Sequence, residues 1–230
     1  MRPAHRSPGS VVLLSGGMDS ATCLALAVRR GGPVHALTVL YGQRHDREVR
    51  AARALARRYH VHRHVVVSLA LGPLLDSSLT DRRRPLPTRG VRPRRIPSTY
   101  VPARNTILLG VALGYAESHR LESIWIGANA IDYSGYPDCR PEFFRAFERL
   151  ARVATKAGVE RHVRIRVRAP LLSKTKADIV RWGERLGVPW ALTWSCYAGG
   201  SVPCGRCDSC RLRDRGFRAA GVADPLRATR

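Results

Sequence analysis

The chain has 230 residues, 44% of them hydrophobic, and a formal charge of +23. That length suits one large α/β domain, or one domain with a small appendage, around a buried core. No run of 18 uncharged apolar residues predicts a membrane span, and Val11–Leu14 is too short for the apolar region of a signal peptide, so a cytoplasmic protein is expected.

The charge by itself is weak evidence for a nucleic-acid partner. Of the 40 basic residues only Lys156, Lys174 and Lys176 are lysine. Codon composition produces such an arginine skew without any demand from function. A solvated basic surface holding an anion-attracting cleft accounts for it.

In chain order, Val11–Leu14 reads as a short buried strand and Asp19–Arg30 as a helix stopped by Gly31, Gly32 and Pro33. Between them stands SGGMDS. Two glycines let the backbone turn tightly and approach a ligand. The first amides of the helix have no intrahelical acceptor, and its dipole favours an anion there. With Ser15 and Ser20 as hydroxyl donors, the turn predicts a phosphate cradle. Asp19 is expected either to cap the helix or to hold a Mg²⁺ that accompanies the phosphates.

A second strand is predicted at Val34–Leu40, a helix at Asp46–Tyr59 and a third strand at Val61–Val67. Ala70–Pro97 is rich in proline and arginine without periodicity, and reads as a long loop or flap. A helix at Asn105–Ser118, a strand at Ser123–Ala128, a helix at Pro141–Ala157, an edge strand at Arg164–Ala169 and a helix at Lys174–Leu186 follow. The alternation predicts a doubly wound parallel sheet covered on both faces, an α/β, Rossmann-like fold, with ligands at the carboxyl ends of the strands. Residues 1–193 are expected to form this domain, and residues 194–230 a small cysteine-rich module and tail.

Three stretches fall where ligand loops belong: YGQRH at 41–45, TYVPARN at 99–105 and GANAIDYSGYPDCRPEF at 127–143. The last crowds acids, tyrosines, a cysteine and an arginine. A flat heterocycle can stack on Tyr133 or Tyr136. Asp132 or Asp138 can accept from a guanine-like N–H edge, and Arg140 or Arg104 can pair with a carboxylate. Tyr41, Gln43 and Asn105 complete the predicted substrate contacts. Lys176 opens a helix, an unfavourable place for a cation unless an anion lies near, so it or Lys174 is expected to meet phosphate.

Cys196, Cys204, Cys207 and Cys210 have the spacing C-x7-C-x2-C-x2-C. In a reducing compartment this predicts a closed, structural tetrathiolate Zn²⁺ site, with an iron–sulfur cluster as the rival. Cys23 is expected to pack in the core.

SGGMDS matches SGGxDS, the pyrophosphate loop of ATP pyrophosphatases that adenylate their substrates. Taken together and in order, SGGMDS, YGQRH, YVPARN, GANAIDYSGYPDCRPEF, KADIV and the cysteine module resemble the 7-cyano-7-deazaguanine synthase family, from about Val11 to Pro225. The resemblance implies an adenine nucleotide alpha-hydrolase-like fold and a C–N bond-forming, ATP-dependent ligase of queuosine and 7-deazapurine biosynthesis. It implies that 7-carboxy-7-deazaguanine is adenylated, converted to the amide by ammonia, adenylated again and released as the nitrile. Leu14, Ser15, Gly16, Gly17, Met18, Asp19 and Ser20 would then hold ATP with Mg²⁺, and Asp19, Lys176 and Arg104 would serve catalysis. The resemblance also favours zinc at the cysteines and a homodimer. No glutaminase segment is visible, so free ammonia is the expected nitrogen source. A related enzyme joining a deazaguanine carboxylate to another amine, and a thiolase acting on tRNA, are the alternatives. A zinc-knuckle nucleic-acid module leaves SGGMDS and DYSGYPDCRPEF unexplained.

Overall fold

Val12 and Leu14 pack toward one face of a sheet and Val11 and Leu13 toward the other. A strand buried on both faces reads as a continuous apolar run, which is why no polar alternation marks this segment. The structure, a computed structural model, describes residues 8–71, 74–81, 83–88, 96–130, 136–160 and 164–227. Five strands form one parallel sheet in the order β3-β2-β1-β4-β5. They are β1 (Ser10–Leu13), β2 (Val34–Leu40), β3 (Arg63–Ser68), β4 (Ser123–Trp125) and β5 (Arg166–Arg168). The predicted doubly wound sheet is thus present, with Arg164–Ala169 supplying an edge strand as expected.

The connecting helices are α1 (Met18–Arg30), α2 (Arg47–Arg58), α3 (Arg104–Ser118), α4 (Pro141–Ala154), α5 (Lys176–Arg185) and α6 (Asp208–Ala220). Leu24 of α1, Leu55 of α2, Ile179 of α5 and Phe217 of α6 share one core with Val12 and Trp125. Leu109 of α3 and Phe144 and Phe147 of α4 share the other with Leu37 and Ile124. The chain therefore runs outward from β1 through β2 to β3, then crosses back to β4 on the other side of β1. This reversal opens a crevice at the carboxyl ends of β1 and β4, where ligands bind in such sheets.

Several boundaries differ from the sequence expectation for local reasons. α5 starts at Lys176 rather than Lys174 because Thr175 is its N-cap: Thr175 Oγ1 accepts from the Asp178 N–H, and Asp178 answers at the Thr175 N–H. α4 stops at Ala154, where Thr155 turns extended and its hydroxyl caps the separate turn Lys156–Val159. The described residues of Ala70–Pro97 carry no helix or strand, and the loop is anchored: Ser77 and Ser78 are buried, and the Arg44 guanidinium donates to the Ser78 and Asp81 carbonyls.

The cysteine-rich segment is tied to the main core. Phe217 is buried there, and Arg213 pairs with Asp224 at 2.7 Å while donating to Thr193 Oγ1. Arg213 is buried and the Asp224 side chain is nearly so, so neither can lose the other cheaply.

At the opposite end of the sheet, His35 stacks on His62, meets His119 edge-on and bonds the Tyr115 hydroxyl at 2.8 Å. Burial first, then His62, His119 and Arg63, lower its pKa to about 4. The unfolded chain takes up a proton near pH 6.5 and the folded one does not until about pH 4, so stability is full above pH 6.5 and falls through that window. Urea unfolding at pH 7 and pH 4.5 should show a loss of about 2–3 kcal/mol from this group. His35→Gln should remove that part of the pH dependence; an unchanged difference between the two pH values would contradict it.

Candidate active site

The crevice is a cleft of about 250 Å³. Its floor is the turn from β1 into α1. Gly16 has φ +88°, and a Cβ there would overlap the Glu48 carbonyl oxygen of α2, so only glycine fits. At Gly17 a Cβ would meet nothing closer than 3.5 Å. The glycine pair is thus unequal: Gly16 is fixed by packing against α2, and Gly17 is the N-cap that faces the cleft. Ser20 Oγ donates to the Gly17 carbonyl, so in its 3.1 Å contact with Ser15 Oγ the Ser15 hydroxyl is the donor. The Gly17 N–H in turn donates to Ser15 Oγ. The turn is therefore held shut by its own hydroxyls, with the amides that open α1 directed outward.

Asp19 makes no helix cap; that alternative is overturned, since Gly17 holds the position and no side chain caps it. Its Oδ2 accepts from Lys176 Nζ at 2.6 Å and from Asn129 Nδ2 at 3.1 Å. Its Oδ1 is buried with no hydrogen-bond partner. An orphaned carboxylate oxygen beside a phosphate-type turn is what a hard cation requires, so the residues present fit Mg²⁺. The anion that accounts for a lysine at the start of α5 is Asp19. Lys174 lies elsewhere, its Nζ 5.9 Å from the Trp182 ring centroid.

Beside the cleft lies a side pocket of about 150 Å³. Ser15, Tyr41, Gln43, Glu48, Arg104 and Tyr197 line both spaces. Arg104 opens α3 and hydrogen-bonds Tyr41, whose hydroxyl is pushed up by burial against that pull. Tyr136 lines the side pocket, stacks on Tyr100 at 5.7 Å and bonds Thr99 at 3.0 Å. Tyrosines lining a pocket with one guanidinium are side chains able to take up a flat, anionic ring system.

The four cysteine sulfurs lie within 4.8 Å of one another, a donor set able to hold one metal ion. Backbone N–H groups of Ala198 and Cys204 point at Cys196 Sγ, and that of Cys207 at Cys204 Sγ. Hydrogen bonding among these sulfurs lowers the pKa of Cys196 and raises those of Cys207 and Cys210. Four thiolates can coexist here only around a positive ion. The module also touches the phosphate turn: the Trp194 N–H donates to the Gly16 carbonyl at 2.9 Å.

Residues 9–221 match the family described as "Queuosine biosynthesis protein QueC".

The chain belongs to the QueC family.

It is 53% identical over 230 residues to a protein of Methylococcus capsulatus, covering 99% of both chains. It is 55% identical to one of an Anaeromyxobacter species, over 97% of this chain and 96% of that one. A Ralstonia pickettii protein is 54% identical, over 95% of this chain and 97% of its own. All three are named 7-cyano-7-deazaguanine synthase.

In this QueC-family chain the sequence motifs converge unevenly. Leu14, Ser15, Gly17, Met18, Asp19, Ser20, Tyr41, Gln43, Arg104, Asn105 and Lys176 line the cleft. The Gly16 carbonyl is engaged by Trp194, behind the turn. Asn105 and Asp138 serve each other: Asp138 Oδ2 accepts the Asn105 N–H at 2.9 Å, and Asn105 Nδ2 donates to the Asp138 carbonyl and to Cys139. Asp138 thus supplies the acceptor that the left-handed Ala103 cannot give to the start of α3. Arg140 is exposed at the N-cap of α4. Asp132 and Tyr133 lie outside the described residues. Cys23 packs in the core as expected, its thiol pushed up by burial.

Three participants escaped the sequence reading. Asn129 is buried against Asp19, and Gly127 passes so close to α1 that a Cβ would sit 3.0 Å from the Ser20 nitrogen. Both stand just after β4, inside the expected ligand loop 127–143, whose acids and aromatics rather than these two residues carry the local signal. Glu48, in the first turn of α2, has its carboxyl raised to about 7 by burial, with the Arg104 charge opposing. No motif announced it, because an acid in a first helical turn is ordinary.

Proposed function

We propose that this chain converts 7-carboxy-7-deazaguanine to 7-cyano-7-deazaguanine, using two ATP and one ammonia. Membership in the QueC family, with relatives of this name at more than half identity over nearly the whole length, supports the reading. The observation that carries it physically is the shared border between the phosphate turn and the Tyr–Arg pocket. On this reading the substrate carboxylate lies at that border, beside the α-phosphate of ATP.

A carboxylate oxygen is a poor leaving group at neutral pH and AMP is a good one. The residues Leu14–Ser20 are proposed to grip the triphosphate through the opening amides of α1 and the Ser15 and Ser20 hydroxyls. Lys176 and Arg104 offset the charge that develops as pyrophosphate departs. Asp19 would hold Mg²⁺, which when bound neutralises phosphate charge. Tyr41, Gln43 and Tyr136 are proposed to seat the heterocycle, with Arg104 on its carboxylate. Asp132, Tyr133, Asp138 and Arg140 remain proposed substrate contacts; the hydrogen bonds of Asp138 favour a supporting role through α3. Carboxylate and amide place an oxygen in similar positions, so one turn serves both adenylations.

Cys196, Cys204, Cys207 and Cys210 are proposed to hold a structural Zn²⁺, whose charge lets the four thiolates coexist and whose closed coordination keeps it out of the chemistry. Reduced thiolates fit a cytoplasmic setting. No helix among the described residues is long and apolar enough to cross a membrane. Pairing of two copies is proposed from the family resemblance, with no nucleic-acid partner, and light scattering tests it.

The test is incubation of the purified, metal-loaded protein with 7-carboxy-7-deazaguanine, ammonium, ATP and Mg²⁺, followed by mass. The amide should appear first and the nitrile after it. Folded protein that forms neither overturns the reading.

A further inference from the structure

Two carboxylates line the described cavities, Asp19 and Glu48. Asp19 is engaged by Lys176 and Asn129 at the phosphate end. Glu48 stands at the border shared by the cleft and the side pocket, where the reacting carbon must lie if the proposed function holds. Its backbone lies close against the turn, since a Cβ at Gly16 would overlap the Glu48 carbonyl oxygen.

Nitrile formation has to remove protons at this point. Acid, amide and nitrile carbons share one oxidation level, so no electron donor or acceptor enters. In the second round the amide oxygen attacks the α-phosphorus, and the bond from that phosphorus to the β-phosphate bridge breaks, releasing pyrophosphate. This leaves a protonated, cationic O-adenylyl imidate carrying two N–H bonds. One proton leaves the nitrogen. The C–O bond then breaks with its electron pair going to AMP, and the second N–H pair closes the triple bond as that proton departs.

We propose that Glu48 is the base that takes these nitrogen-bound protons, one at a time, and returns each to water. The inference rests on the function proposed above. Glu48 is faced by Arg104 of α3 and by Tyr41 after β2, with Tyr197 of the cysteine module on the same border and Asp19, paired to Lys176, across the cleft. On its own helix and the residues before it stand Arg47, Asp46 and His45. Burial dominates and Arg104 only moderates it, so the carboxyl titrates near neutrality, a range in which it can both accept and release a proton. The carboxyl must be ionised to act, so the rate should rise with pH through this region and then level.

The experiment supplies the amide, 7-amido-7-deazaguanine, with ATP and Mg²⁺ and no ammonium, so that the ammonium equilibrium does not enter the pH profile. For wild type, nitrile formation should increase tenfold per pH unit below about pH 7 and flatten above it. Glu48→Gln should slow nitrile formation about a hundredfold and flatten that limb. It should leave amide-dependent exchange of labelled pyrophosphate into ATP within about twofold, because adenylation of the oxygen needs no base. Glu48→Asp should recover part of the rate and the limb. Nitrile formation in E48Q within twofold of wild type overturns the proposal. So does an equal loss of exchange, which marks a binding residue, and so does a wild-type profile without the limb. A wild-type protein that makes no nitrile sinks the underlying function instead.

Discussion

Asp19→Asn should lower pyrophosphate release in both adenylation rounds by about a thousandfold while leaving the protein folded and its thiolate metal in place. The variant keeps the shape of the side chain and removes its charge. In the native site one oxygen balances Lys176 at 2.6 Å and accepts from Asn129, while the other is buried and unpartnered. Asparagine fails at both. It offers no charge to a divalent cation, and it leaves the Lys176 ammonium without its counterion in a cleft that must then receive a triphosphate. The phosphates would draw Lys176 onto themselves in the wrong place, so ATP affinity should change far less than the rate. Stability should fall only modestly, because both ends of the pair reach water. Three measurements read this together: pyrophosphate release, ATP affinity by calorimetry and thermal melting. An Asp19→Asn protein within tenfold of wild type in pyrophosphate release would remove Asp19 from the chemistry.

Stripping the thiolate metal should cost nearly as much by a different route. The module of Cys196, Cys204, Cys207 and Cys210 has a small apolar centre of Ala51, Trp194 and three of the cysteines. That is too little burial to order so many loop residues without the metal. The module is also built into the phosphate turn. Trp194 bonds the Gly16 carbonyl, and a Cβ at Gly199 would overlap the His45 ring, so the segment lies flat on the loop that carries Gln43. On the far side, α6 passes so close to α5 that a Cβ at Gly216 would sit 2.8 Å from Lys176 Cβ. Loss of the metal should therefore loosen the backing of both Gly16 and Lys176. Chelation, or Cys207→Ala, is expected to lower the melting temperature by at least about 10 °C and to weaken ATP binding more than tenfold. Elemental analysis before and after should give one zinc per chain and then none. Metal-free protein that melts and binds ATP as before would show the module to be independent of the site.

What could be read from the sequence follows physical range. The turn at Ser15–Ser20 was legible because everything it does is local. A strand ends, a helix begins, and the free amides, dipole and glycines lie within a few residues. The cysteine spacing was legible for the same reason. Asn105 and Asp138 stand where polar residues in a loop invite a ligand; that they are also bonded to each other, across 33 positions in the chain, no local pattern announces. Glu48 was invisible, since its surroundings come from β2, α3 and the cysteine module rather than from α2 itself.

The sequence alone determined the parallel α/β sheet, the glycine turn after its first strand and the four-cysteine cluster, because apolar periodicity, helix-start chemistry and ligand spacing act over short separations. Only the tertiary structure decided that Lys176 rather than Lys174 meets Asp19, that Gly16 packs against α2, and that Glu48 stands where two cavities meet. Those facts depend on which distant elements the sheet order β3-β2-β1-β4-β5 brings together. No local pattern encodes that order, because it is set by the joint burial of two cores on opposite faces of one sheet.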